Sequence, residues 1–135
     1  MRVFPDTNVL LSAFFGKGLC EDLLLQLVQG EHELLVGEPV AREFVRIARE
    51  KFRVAPADLS YALEFLRRQK AAPAAQAPLP GVPDPDDRPI LACALAAGAD
   101  LFITGDKALL ELKSVGGLPI VSPRQAWEIL RTGGN

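Results

Sequence analysis

Residues 1–13 read MRVFPDTNVLLSA, and the reading of this stretch decides the fold. Residues 2–5 are a short apolar run that reads as a strand. Residues 7–15 read as a helix, which Gly16 and Gly18 break. Asp6 stands where the one becomes the other. A carboxylate there can cap the helix, because the first turn offers unpaired N–H groups and the positive end of the helix dipole. It can equally serve as a metal ligand at the end of a buried strand. The rest of the chain bears on the choice.

The same alternation continues. Residues 20–29 place Leu23, Leu24, Leu27 and Val28 at helical spacing, and Gly30 stops the helix. Residues 33–36 read as a second strand. Residues 39–51 read as a helix with Pro39 in its first turn, and 56–69 as another. The stretch 71–89 holds six of the eleven prolines and reads as a stiff loop that can begin with a brief strand. Residues 90–97 (ILACALAA) are apolar all round, so that helix is covered on most sides. A strand at 101–104, a helix at 107–112, a short strand at 119–121 and a helix at 123–130 capped by Ser122 complete the chain. Short apolar strands alternating with helices predict an α/β fold, a parallel sheet of four to five strands between helical layers. One domain spanning 1–135 is expected, because the residues after Pro89 are too few for a separate core. In such a sheet the carboxyl ends of the strands share one edge, where ligands bind.

Asp6 has counterparts along that edge. Asp106 follows the strand LFIT and Gly105, and Asp84, Asp86 and Asp87 precede the apolar helix. Each alone reads as a cap. Capping accepts Ser, Thr or Asn equally well, so three Asp-marked junctions exceed what it requires. Carboxylates gathered on one edge would repel and titrate high unless a cation neutralised them. Hard oxygen donors of this kind suit Mg²⁺ or Mn²⁺. Glu43 lies at the boundary of the apolar arc Val40, Phe44, Val45, Ile47 and Ala48, near the start of its helix, and can lean toward the same edge.

Composition limits the alternatives. The chain has 135 residues, 49% hydrophobic and 24% charged, as in ordinary globular domains. A formal charge of -2 argues against a surface basic everywhere. Locally the balance differs: eight of the fifteen Lys and Arg fall between Arg42 and Lys70, against four acids. Arg42, Arg46 and Arg49 share one helical face there and are candidates for a phosphate-tracking wall beside the acids. Cys20, Cys93 and His32 are too scattered for a disulfide framework or a zinc site. No leader-like segment or membrane-length apolar run is present, so a cytoplasmic location with no membrane partner is expected.

PDTNVLLSA, Glu43 within VAREFVRI, DPDDRPILACALAAGAD and LFITGDKALL occur in this order over almost the whole chain. In these stretches the chain resembles the PIN domain family, closest to the subgroup of prokaryotic toxin–antitoxin toxins (VapC-like). The resemblance implies an α/β/α sandwich and a ribonuclease site for one or two Mg²⁺ or Mn²⁺ ions. Carried over by position, the four acids are Asp6, Glu43, Asp87 and Asp106, with Asp84 as rival or helper to Asp87 among the metal ligands. Asn8 and Thr104 match the small polar residues found near the metal. Glu43 would hold a metal-bound water or act as base. The resemblance also implies an RNA substrate, a cognate antitoxin and a homodimer, whose seam could come from the helices at 20–28 and 61–66.

Other readings fit less well. An inactive PIN-like module for RNA or protein binding would keep the fold without turnover. An aspartyl phosphatase wants a second Asp where this chain has Asn8, and a phospho-receiver wants an acidic pair at the first strand. A dinucleotide-binding fold wants a glycine-rich loop after that strand, which is missing.

Overall fold

The computed structural model describes residues 1–132. The expected domain span of 1–135 therefore includes three residues, 133–135, that lie outside the described ones. In chain order the elements are β1 (Arg2–Pro5), α1 (Thr7–Phe15), α2 (Leu19–Gln29), β2 (Glu33–Gly37), α3 (Glu38–Glu50), α4 (Pro56–Arg67), β3 (Lys70–Ala72), α5 (Arg88–Ala96), β4 (Leu101–Ile103), α6 (Lys107–Leu112), β5 (Ser114–Val115), β6 (Leu118–Val121) and α7 (Pro123–Arg131). A 3-10 turn, Pro85–Asp87, leads into α5.

The sheet has six strands in the order β3-β2-β1-β4-β6-β5, parallel except for the β5–β6 hairpin. The chain steps from β1 outward through β2 to β3, then returns to the other side of β1 with β4. The order thus reverses between β1 and β4, and the loops after those two strands part there to leave a crevice. Asp6 follows β1 directly, and Thr104 follows β4.

Burial explains why the strands read as apolar runs. Val3, Phe4, Leu34, Leu35, Leu101, Phe102 and Ile103 are all buried, as expected of a sheet covered on both faces. Phe4 of β1 and Phe102 of β4 stack at a centroid separation of 5.6 Å, which locks the two central strands together beneath the crevice. A second aromatic group joins α1 to α3 and α4: Phe14 lies 5.9 Å from Phe44 and 5.4 Å from Phe65. Val40, Phe44 and Ala48 form the buried side of α3, with Val45 and Ile47 partly covered, as the arc predicts. In α5, Ile90 to Ala94 are buried without interruption, so this helix is enclosed as its composition implies.

One feature departs from the sequence reading. The sheet gains a sixth strand, β5, only two residues long. Its hairpin turns on Gly116 and Gly117 at φ of 54° and 83°, the pair of left-handed positions that glycine supplies without strain. The Gly-Gly pair was the available signal. Tyr61 is 73% exposed on α4. Elsewhere the boundaries shift by a residue or two, with α3 starting at Glu38 and α4 ending at Arg67. None of the described helices is long and apolar enough to cross a membrane.

Candidate metal centre

Asp6 is 7% exposed, a buried acid at the carboxyl end of the central strand. Its backbone N–H donates to Ile103 O at 2.8 Å, which fixes its position against β4. One carboxylate oxygen accepts from Thr7 N at 2.8 Å, the capping bond that the sequence suggested. The other accepts from the Thr104 hydroxyl at 2.8 Å. Burial pushes the Asp6 carboxyl above its ordinary value; the Thr104 and Thr7 bonds oppose this, and the charges of Glu43 and Asp106 add to it.

Thr104 joins two acids. Fully buried, it donates to Asp6 while its oxygen accepts from Asp106 N at 3.1 Å. Asp106 in turn caps α6, accepting from Ala108 N at 2.8 Å. A single side chain thus sets the spacing of the β1 and β4 acids. Asn8, by contrast, is exposed on α1 and its side chain makes no hydrogen bond among the described residues. Instead Thr7 stands beside Asp6, its buried hydroxyl without a hydrogen-bond partner among the described residues. The sequence reading passed over Thr7; the only signal was its place next to the strand-end acid.

The DPDD segment separates into roles. Asp84 is exposed and caps the 3-10 turn, accepting from Asp86 N at 2.9 Å. Asp86 is exposed. Asp87 is half-buried, makes no capping bond for α5, and keeps its carboxylate free. Its carboxyl is pushed up to about 6, first by loss of solvent and then by the charges of Asp6, Asp84, Asp106 and Glu43. Asp6, Asp84 and Asp106 cap helical turns, and Glu43 and Asp106 lie near enough for their charges to act on Asp6 and Asp87.

Glu43 projects from α3 at a half-buried position. Arg42, Arg46 and Arg49 are exposed on the same helix. Arg42 lies 3.7 Å from Glu38, an exposed pair of small energetic weight. The three ion pairs among the described residues join Arg2 to Glu33, Arg42 to Glu38 and Arg68 to Glu64. None reaches Asp6, Glu43, Asp87 or Asp106.

The chemistry of this donor set fits a hard divalent cation. Carboxylates raised by burial and by one another's charge, unpaired by Lys or Arg among the described residues, are what a bound 2+ charge would relieve. Among the described residues no three Asp, Glu, His or Cys side chains form a ready-made metal group. Capping bonds occupy one oxygen each of Asp6, Asp84 and Asp106. The fit is to an ion that keeps several of its waters, as Mg²⁺ does.

Comparison with known proteins agrees with this architecture. A family model described as PIN domain matches residues 2–108. No curated protein sequence matches the chain. Among solved structures, the crystal structure of VapBC2 from Rickettsia felis bound to a DNA fragment from their promoter is similar, with a TM-score of 0.64 at 14% identity. The match covers 90% of this chain and 98% of that one, and it shows a shared fold. With the family model spanning β1 through the first residues of α6, the chain belongs to the PIN domain family.

Proposed function

We propose that this PIN domain is a Mg²⁺- or Mn²⁺-dependent endoribonuclease, the toxin of a toxin–antitoxin pair. PIN domains are generally nucleases that use divalent metals. The observation that supports the proposal is that Asp6 and Asp87 are both raised, first by burial and then by the charges of neighbouring acids that include Glu43 and Asp106, with no basic side chain paired to any of the four among the described residues. Such charge is a liability in the free chain and an asset only when a cation is held.

Asp6, Asp87 and Asp106 would hold the ion, with Asp84 at the rim. When bound, the ion would activate water and neutralise charge developing on the scissile phosphate. Thr104 fixes the orientation of Asp6 and the position of Asp106. Glu43, on its own helix, can take the proton of the attacking water. Arg42, Arg46 and Arg49 lie exposed beside it and would track the phosphates of a single RNA strand. Phosphate charge keeps the strand on α3, and the acids select the bond to be cut.

The VapBC2 neighbour is a toxin–antitoxin complex, which supports an antitoxin partner for this chain. A homodimer is part of the proposal. Leu25, Val28 and Tyr61 are exposed around a cavity of about 350 Å³ between α2 and α4, and support the expected seam. One domain and a cytoplasmic setting complete it. The competing reading is a PIN module without turnover, which the lack of a ready-made metal group favours. RNA cleavage by purified chain with added Mn²⁺ separates the two. The proposal expects cleavage that Asp6→Asn abolishes; equal activity of wild type and variant would remove Asp6 from the chemistry.

A further inference from the structure

One cavity of the molecule lies away from the four acids. It measures about 710 Å³ and is bounded by β2, α3, α4 and β3. Its walls are aliphatic: Val36, Ala41, Val45, Leu63, Leu66 and Ala72. Two guanidinium groups stand on the lining, Arg42 and Arg67. Arg42 lies 3.7 Å from Glu38, whereas Arg67 has no ion pair among the described residues. Lys70 adds a third exposed cation at the start of β3.

The strand that borders this cavity is the end of the sheet. β3 pairs with β2 on one side, and no described strand pairs with the other. Of its three residues, Ala72 is buried and its carbonyl accepts from the Cys93 thiol at 3.2 Å, so the edge that can offer backbone N–H and C=O groups to an extended chain is at Lys70 and Ala71. Charge decides what kind of chain. A second copy meeting this face by two-fold symmetry would set the cations against themselves. An occupant carrying acids would be attracted.

We propose that the cavity and the free edge of β3 form one docking site for an extended peptide segment of a partner protein, one that alternates acidic and aliphatic residues. The segment adds a strand to β3. One row of its side chains fills the aliphatic cavity, and its acids meet Arg67, Arg42 and Lys70. This site shares Arg42 with the proposed RNA face but uses none of the four acids, so its test at Arg67 is separate from the test of the nuclease reading.

Fluorescence anisotropy on the full chain tests it with three labelled peptides: an alternating Asp/Val/Asp/Leu hexapeptide, its Lys-for-Asp counterpart, and the acidic peptide with alternate backbone nitrogens methylated. The acidic peptide should bind saturably and the Lys peptide should not. Methylation should weaken binding at least tenfold, because it removes the strand-pairing donors. Arg67→Glu, at an exposed position on α4, should weaken it at least fivefold. No saturable binding of the acidic peptide overturns the proposal, as does equal affinity for all three peptides or an Arg67→Glu variant that binds as wild type does. Sedimentation showing a dimer that Arg67→Glu dissociates, unaffected by excess acidic peptide, would give the face to a second copy and also overturn it.

Discussion

Replacing Asp87 by Asn should stabilise the chain when no metal is present, although most substitutions at a functional position do the opposite. Asp87 makes no capping bond, so Asn forfeits none. What it removes is a charge penalised first by loss of solvent and then by the repulsion of Asp6, Asp84, Asp106 and Glu43, which together lift the carboxyl from 3.8 to about 6. A shift of that size corresponds to about 3 kcal/mol between the two protonation states. Asp87 is only half-buried, and solvent screening reduces the usable part to about 1–1.5 kcal/mol. The sign follows from proton binding. The folded chain holds the Asp87 proton more tightly than the unfolded chain does, so stability falls as pH rises from 3.8 through 6 and stays low above it. Asp87→Asn should therefore gain about 1–1.5 kcal/mol at pH 7.5, or about 3–6 °C in Tm, and close to nothing near pH 4. Urea and thermal unfolding with EDTA at both pH values measure this directly. Adding Mn²⁺ at pH 7.5 should reverse the order, because 100-fold excess over Kd stabilises a binding chain by about 2.7 kcal/mol and the variant binds less. A variant no more stable than wild type at pH 7.5 in EDTA would show that the acids are not crowded, and the electrostatic case for the site would fail.

Three further outcomes follow from particular contacts. Thr104→Val keeps the shape but deletes the hydroxyl shared by Asp6 and Asp106; it should lose about 1.5–3 kcal/mol at pH 7.5, and progressively less as the pH falls and Asp6 takes up its proton, as urea unfolding across the acid range would reveal. Gly37→Ala places a Cβ 2.5 Å from the Phe4 ring and 3.2 Å from Cys93 Sγ in a close-packed core, so it should cost about 1–3 kcal/mol by the same assay. Arg46→Glu with Arg49→Glu should weaken single-stranded RNA binding and flatten its salt dependence by about 1.4 in the log–log slope, for two lost phosphate contacts; an unchanged slope would take RNA off that face of α3.

Much of the fold was legible because the strands are buried on both faces. Runs such as Leu34 to Val36 and Leu101 to Ile103 leave little choice but a covered parallel sheet. The caps were legible for a local reason: Asp6, Asp106 and Ser122 each bond to backbone within three residues. The two-residue β5 was not, since a strand so short has no periodicity and only its Gly-Gly turn betrays it. At the site, the sequence brought forward the acids but not their division of labour. That Asp84 caps while Asp87 stays free depends on the 3-10 turn, which two flanking prolines leave undetermined at the level of sequence. Thr104 as the link between Asp6 and Asp106 needed the β1–β4 pairing in space. The cavity beside β3 was invisible, because its walls come from four successive elements whose packing against one another the sequence pattern does not set.

The most direct measurement is an anomalous difference map from crystals of the chain soaked in Mn²⁺, collected beside crystals of Asp6→Asn. A peak in the β1/β4 crevice, bordered by Asp6, Asp87 and Asp106 and absent from the variant, is the predicted result. A featureless crevice in the wild-type crystals, or a peak that survives Asp6→Asn undiminished, would contradict the account.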